Sequence, residues 1–80
     1  MHVEVYLEFP ENMIGIVRLE SVISYGDKGE ELENYQKLID NTEFNNSGKD
    51  DITLEIKKYI SLKLGIKHEI IRIMNWGSAL

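Results

Sequence analysis

Four polar side chains near the start of the chain, His2, Glu4, Tyr6 and Glu8, alternate with Val3, Val5, Leu7 and Phe9. Carboxylates and a phenol on one face can move protons, and two carboxylates flanking one bond can hydrolyse it. Four residues of strand set Glu4 and Glu8 about 13 Å apart, beyond the separation of a glycosidase pair. Each therefore needs a partner from another strand or from a second copy of the chain. Glu4, Tyr6 and Glu8 with His68 are the candidates for a small enzyme whose site forms at a dimer interface. A solvated strand face is the plainer account of the same residues.

The other routes to chemistry close quickly. The sequence has no cysteine, which removes disulfides, thiolate catalysis and every zinc site built on Cys. Its two histidines, His2 and His68, have no HxxxH spacing, and no GxSxG surrounds a serine. Gly48-Lys49 superficially matches a phosphate-binding loop, but Glu43 stands where the first Gly belongs and Asp50 where a Ser or Thr belongs. A calcium loop begun at Asp40 puts Asn45 at its sixth position and Asp51 at its twelfth, against the Gly and Glu required. Asn45-Asn46-Ser47 matches a glycosylation acceptor without a secretory signal before it. No cofactor and no metal is expected.

Charge is the more informative feature. Residues 1–51 carry 12 acidic and 4 basic side chains, a balance of −8, whereas residues 52–80 carry 2 acidic and 5 basic, a balance of +3. Such a division gives an oriented electrostatic surface if folding keeps the two parts separate. Glu30, Glu31, Glu33, Asp40, Glu43, Asp50 and Asp51 form the acidic candidate site, which suits a basic protein partner. Lys57, Lys58, Lys63, Lys67 and Arg72 form the basic group, with Trp76 available to stack on a base. The cations are few and the acidic part repels phosphate, so direct nucleic-acid binding, through Lys57, Lys58, Lys67, Arg72 and Trp76, is the second choice.

These residues need elements to position them. Eighty residues make one domain, 1–80, with 42% apolar and 29% charged residues, as in a folded soluble chain. His2 to Phe9 alternates as a half-buried strand, Pro10-Glu11-Asn12 turns it, and Met13 to Tyr25 returns as a second strand. The apolar parity of that second strand changes near Gly15, which predicts a bulge or bend there. After the Gly26–Gly29 turn, Leu32, Tyr35, Leu38, Ile39 and Thr42 recur at helical spacing, predicting a helix over 30–41 with Glu30, Glu31 and Glu33 in its first turn.

Residues 52–64 fit both a strand and a helix. A helix is favoured because a strand of that length is far beyond the mean of ~5–6 residues, Asp50 or Asp51 can cap it, and Gly65 can end it. Ile71 and Ile73 against Ile70, Arg72, Met74 and Trp76 then make a last strand. The expected fold is α+β: a small antiparallel sheet of about three strands, in the order β-β-α-α-β, with helices packed on one face. A β-rich variant follows if 52–64 is a strand.

The expected function is a non-enzymatic acidic protein-binding module. It is of the kind by which small phage or mobile-element proteins inhibit a nucleic-acid-binding partner through mimicry of its ligand. A homodimer is expected, through pairing of open sheet edges or through Trp76. With no stretch near the roughly 18 apolar residues of a membrane span, the expected location is cytoplasmic, away from any membrane.

Overall fold

The computed structural model describes residues 1–12, 14–35, 37, 42–45 and 47–75. Five strands form one mixed sheet, and one long helix covers one of its faces. Strand β1 (His2–Glu8) pairs antiparallel with β2 (Ile16–Tyr25). On its other side β2 pairs with β3 (Glu31–Asn34) near one end and with β4 (Glu43–Asn45) near the other, both antiparallel. Helix α1 (Lys49–Leu64), a short 3-10 turn (His68–Ile70) and β5 (Ile71–Ile73) complete the chain. β5 lies on the free side of β1 and runs parallel to it. The sheet is therefore mixed, not purely antiparallel: the return through α1 is a crossover long enough to bring the chain back in the same direction.

Strand β1 forms as its alternation dictates, with Val3, Val5 and Leu7 buried and their neighbours on the other face. Gly15 has φ +83° in the turn that ends this hairpin, but the change of parity is elsewhere. Tyr6 is opposite Ser21 and Leu7 is opposite Leu19, so Glu20 has no partner on β1 and forms a bulge. Val17 and Leu19 face the core before it; Val22 and Ser24 face the core after it. Ile23 and Tyr25, which sequence parity groups with Val17 and Leu19, thus belong to the opposite face. The bulge lets one long strand keep a buried side along its whole length.

The expected helix over 30–41 is not formed at its start: residues Glu31–Asn34 are a strand. The turn before them closes through Gly26 N–H donating to Glu30 C=O at 2.8 Å and Gly29 N–H donating to Gly26 C=O at 3.0 Å. Tyr35 N–H then donates to Val22 C=O at 2.9 Å, extending the ladder. At the start of this span β2 offers a ready edge of donors and acceptors, and pairing with it wins over the costly first turn of a helix. Glu30, Glu31 and Glu33 therefore do not cap a helix. Within the same expected span Lys37 is helical, and residues 36 and 38–41 lie outside the described residues.

Residues 52–64 are helical as favoured, with the helix beginning three residues earlier at Lys49, and the β-rich variant falls away. Gly48, not Asp50 or Asp51, is the capping residue, and both aspartates sit in the first turn beside the positive end of the helix dipole. Gly65 ends α1 in the left-handed conformation, φ 67°, and Ile66 C=O accepts a bond from the Ser61 hydroxyl. Ile52, Ile56 and Ile60 are fully buried and pack with Val3, Val5, Leu7, Val17, Leu19, Val22 and Ile71. Phe44 on β4 joins this core and meets the Tyr59 ring edge-on at 5.6 Å. Buried Ser24 is satisfied locally by the Tyr35 hydroxyl, 3.4 Å away.

Beyond β5 the ladder to β1 continues through a side chain. Met74 N–H donates to Val5 C=O at 2.9 Å; Asn75 then accepts from Leu7 N–H at 2.8 Å and donates to Leu7 C=O at 2.7 Å. Asn75→Ala should cost about 1–3 kcal/mol, because it strands a part-buried donor and acceptor of Leu7. Asn75→Asp should recover little, since it returns the acceptor while repelling the Leu7 carbonyl. Thermal melts of the three proteins check this; a melt for Asn75→Ala within a degree of the parent would refute it.

Candidate functional site on the open face of the sheet

Helix α1 covers one face of the sheet, and the other face presents chemistry in rows. Arg72, Glu4, Ile23 and Asn34 lie side by side across β5, β1, β2 and β3. On one side of that row are His2, Tyr25 and Glu31; on the other are Tyr6 and Ser21, then Glu8, Arg18 and Glu43. Residues two apart on a strand share a face, so the alternation of β1 puts His2, Glu4 and Tyr6 within mutual reach.

Glu4 is the centre of that group. Its carboxylate accepts from the Tyr6 hydroxyl at 3.1 Å, and its other oxygen is 2.9 Å from His2 Nε2. His2 in turn stacks on Tyr25 with ring centroids 5.4 Å apart. The bond with His2 holds the Glu4 carboxyl below the usual carboxylate range, helped by Tyr6 and by the Arg72 charge and opposed by partial desolvation. The same Tyr6–Glu4 bond raises the Tyr6 phenol above its ordinary value, since ionisation would lose the bond beside a carboxylate.

The pH dependence has a definite sign. A carboxyl whose folded value is depressed stabilises the fold above its unfolded value, and that contribution is lost as pH falls through the folded value. Glu4 therefore contributes to stability at neutral pH, begins to lose that contribution below its ordinary value of 4.5, and has lost it once pH is below the depressed folded value. In Glu4→Gln the acid limb of a melting-temperature profile should flatten, and NMR titration should find the parent Glu4 below its ordinary value of 4.5. A Glu4 midpoint at or above that ordinary value would contradict the network.

Chemically, Glu4 is an orienting group and not a free base, because both its oxygens are engaged. With Nε2 committed to Glu4, His2 keeps Nδ1 as its open nitrogen. No group of three His, Asp or Glu among the described residues could hold a metal ion. Of the four residues proposed for an enzyme site, the structure joins Glu4 and Tyr6; Glu8 is exposed next to Arg18 across the ladder, and His68 stands in the 3-10 turn outside this network.

The acidic candidates occupy different settings. Glu31 and Glu33 are exposed on β3, an edge strand on which every residue is exposed. Glu30 precedes them and accepts from Lys28 N–H at 3.3 Å. Glu43 forms a two-contact ion pair with Arg18, 2.8 Å from Nε, so its charge is already answered within the chain. Asp50 and Asp51 are exposed on the first turn of α1, and Asp40 lies outside the described residues.

The basic candidates are split between the two sides of the sheet. Lys57 and Lys58 belong to α1, Lys67 precedes the 3-10 turn, and Arg72 is on the open face beside Glu4. Lys63 sits over the Tyr59 ring, 5.7 Å from its centre. Trp76 lies outside the described residues.

Tyr25 escapes the sequence reading, and His2, placed on this strand face by it, is not among its candidate site residues. The alternation of β1 does put His2 beside Glu4, but the bulge at Glu20 hides the face on which Tyr25 emerges. Tyr6, Ile23 and Tyr25 are half-buried, and Met74, next in the alternation after Arg72, is 45% exposed. Among the described residues, no helix is long and apolar enough to cross a membrane. No family model matches this chain, and neither a curated protein nor a solved structure does.

Proposed function

We propose that the chain is a non-enzymatic binding module that meets a basic protein through its β3 edge and the adjoining open face. The observation that carries this reading is β3: a free sheet edge, exposed at every residue, whose Glu31 and Glu33 make no ion pair among the described residues. Edge strands with unanswered charge resist pairing with a like edge and attract a surface of opposite sign. Tyr6, Tyr25, Met74 and Arg72 supply the residue types that anchor protein interfaces, and the carboxylates of Glu8, Glu20 and Glu31 surround them. The balance of −8 over residues 1–51 favours a partner whose own ligand is polyanionic, so that the module takes the place of nucleic acid.

The dispersal of Lys57, Lys58, Lys67 and Arg72 favours no direct nucleic-acid surface. Affinity capture from a bacterial lysate at low ionic strength, with elution by a salt gradient, tests the proposal. Recovery of one basic nucleic-acid-binding protein at moderate salt is the expected result. Recovery of nothing specific, or of nucleic acid itself, would reject it.

A further inference from the structure

We infer that the outward face of α1 is the contact surface of a symmetric dimer, in which a second copy of the chain packs its own α1 antiparallel against the first. Ile52, Ile56 and Ile60 occupy the inward stripe of the helix. On the outward stripe, two turns apart, Leu54 is 62% exposed and Leu62 is 76% exposed, with exposed Lys58 between them. Polar residues are the usual occupants of a water-facing stripe, and two leucines on it give apolar surface that a second chain can cover.

Charge on the helix selects the occupant and its direction. The first half of α1 carries Asp50, Asp51 and Glu55 against Lys49, and the second half carries Lys57, Lys58 and Lys63 with no acid. An antiparallel copy sets each acidic half against the other's basic half and opposes the two helix dipoles; a parallel copy would set like against like. A two-fold axis beside Lys58 brings Leu54 of each chain to Leu62 of the other, the reciprocal pairing that a closed two-fold contact requires. The Glu55 carboxylates flank Lys58 on each side of the axis. The open sheet face is on the far side of each protomer, so this dimer leaves both copies free to bind and stands independently of the proposed partner.

The contact is one helix wide, below the size of a standard interface, so the dimer is weak and forms at high protein concentration. Light scattering over a wide concentration series, extending to about 1 mM, the weak end of the affinity scale, should show the mass rising from one chain toward two. Leu62→Glu should hold the protein at one chain throughout with its thermal melt unchanged. Glu55→Lys should weaken the dimer several-fold, and Glu55→Lys with Lys58→Glu should restore it. The absence of native cysteine allows a direct check: Lys58→Cys, which meets its own copy at the axis, should crosslink on oxidation, while Glu20→Cys on the far face should not. A mass of one chain at every concentration would overturn the inference, as would a dimer that survives Leu62→Glu.

Discussion

Ile56→Ala should lower the melting temperature by roughly 10–25 °C and leave a substantial unfolded fraction at physiological temperature. Ile56 is fully buried at the middle of α1, between Ile52 and Ile60, where the helix meets the sheet. Truncating such a residue costs about 2–5 kcal/mol, the transfer of the lost carbons plus the cavity they leave. An 80-residue fold has only about 4–12 kcal/mol in total at typical values per residue. The cavity would also be hard to close, because its walls come from β1, β2 and α1 together and a shift of one loosens the others. Ile56→Val should cost only about 0.5–1.5 kcal/mol, and Leu54→Ala on the outward stripe should stay within about 0.5 kcal/mol. Circular dichroism melts of the three variants order these effects. Equal melts for Ile56→Ala and Leu54→Ala would mean that α1 does not carry the core.

What could be read from sequence was whatever is local and periodic. β1 is legible because every second residue from Val3 to Leu7 is apolar and buried. The end of α1 is legible because Gly65 can take a left-handed conformation that other residues resist. Three features were hidden, each because its cause lies in another part of the chain. Leu32 and Tyr35 have helical spacing, yet the unpaired edge of β2 captures their segment as a strand. The extra residue at Glu20 reverses the faces of Ile23 and Tyr25, and a bulge leaves no mark in composition. The parallel direction of β5 depends on the path of the crossover, which Ile71 and Ile73 cannot announce.

The acidic site was half legible for the same reason. Counting charges finds Glu31 and Glu43 alike, and only folding shows that Arg18 answers one of them. The His2–Glu4–Tyr6 group is local enough to be seen on paper, but its stacking partner Tyr25 comes from the other arm of the hairpin.

Charge reversal on β3 gives the proposed function its sharpest prediction. Glu31→Lys with Glu33→Lys should weaken binding to the captured basic partner by about 10- to 100-fold at low ionic strength, mostly through slower association. Both side chains are exposed, so the fold should tolerate the change and the melt should move little. The loss should shrink steeply as salt rises, because the Debye length falls from ~10 Å at 0.1 M to ~3 Å at 1 M. Tyr25→Ala should behave differently: a ring lost from the centre of an interface speeds dissociation, with a penalty of about 2 kcal/mol or more that salt hardly alters. Glu43→Gln supplies the internal control, since its charge is already paired with Arg18 and its loss should change association least. Surface plasmon resonance at two salt concentrations separates these signatures. If reversal at Glu31 and Glu33 left the association rate unchanged while Glu43→Gln reduced it, the contact would belong to the β4 end of the sheet and the proposed surface would be wrong.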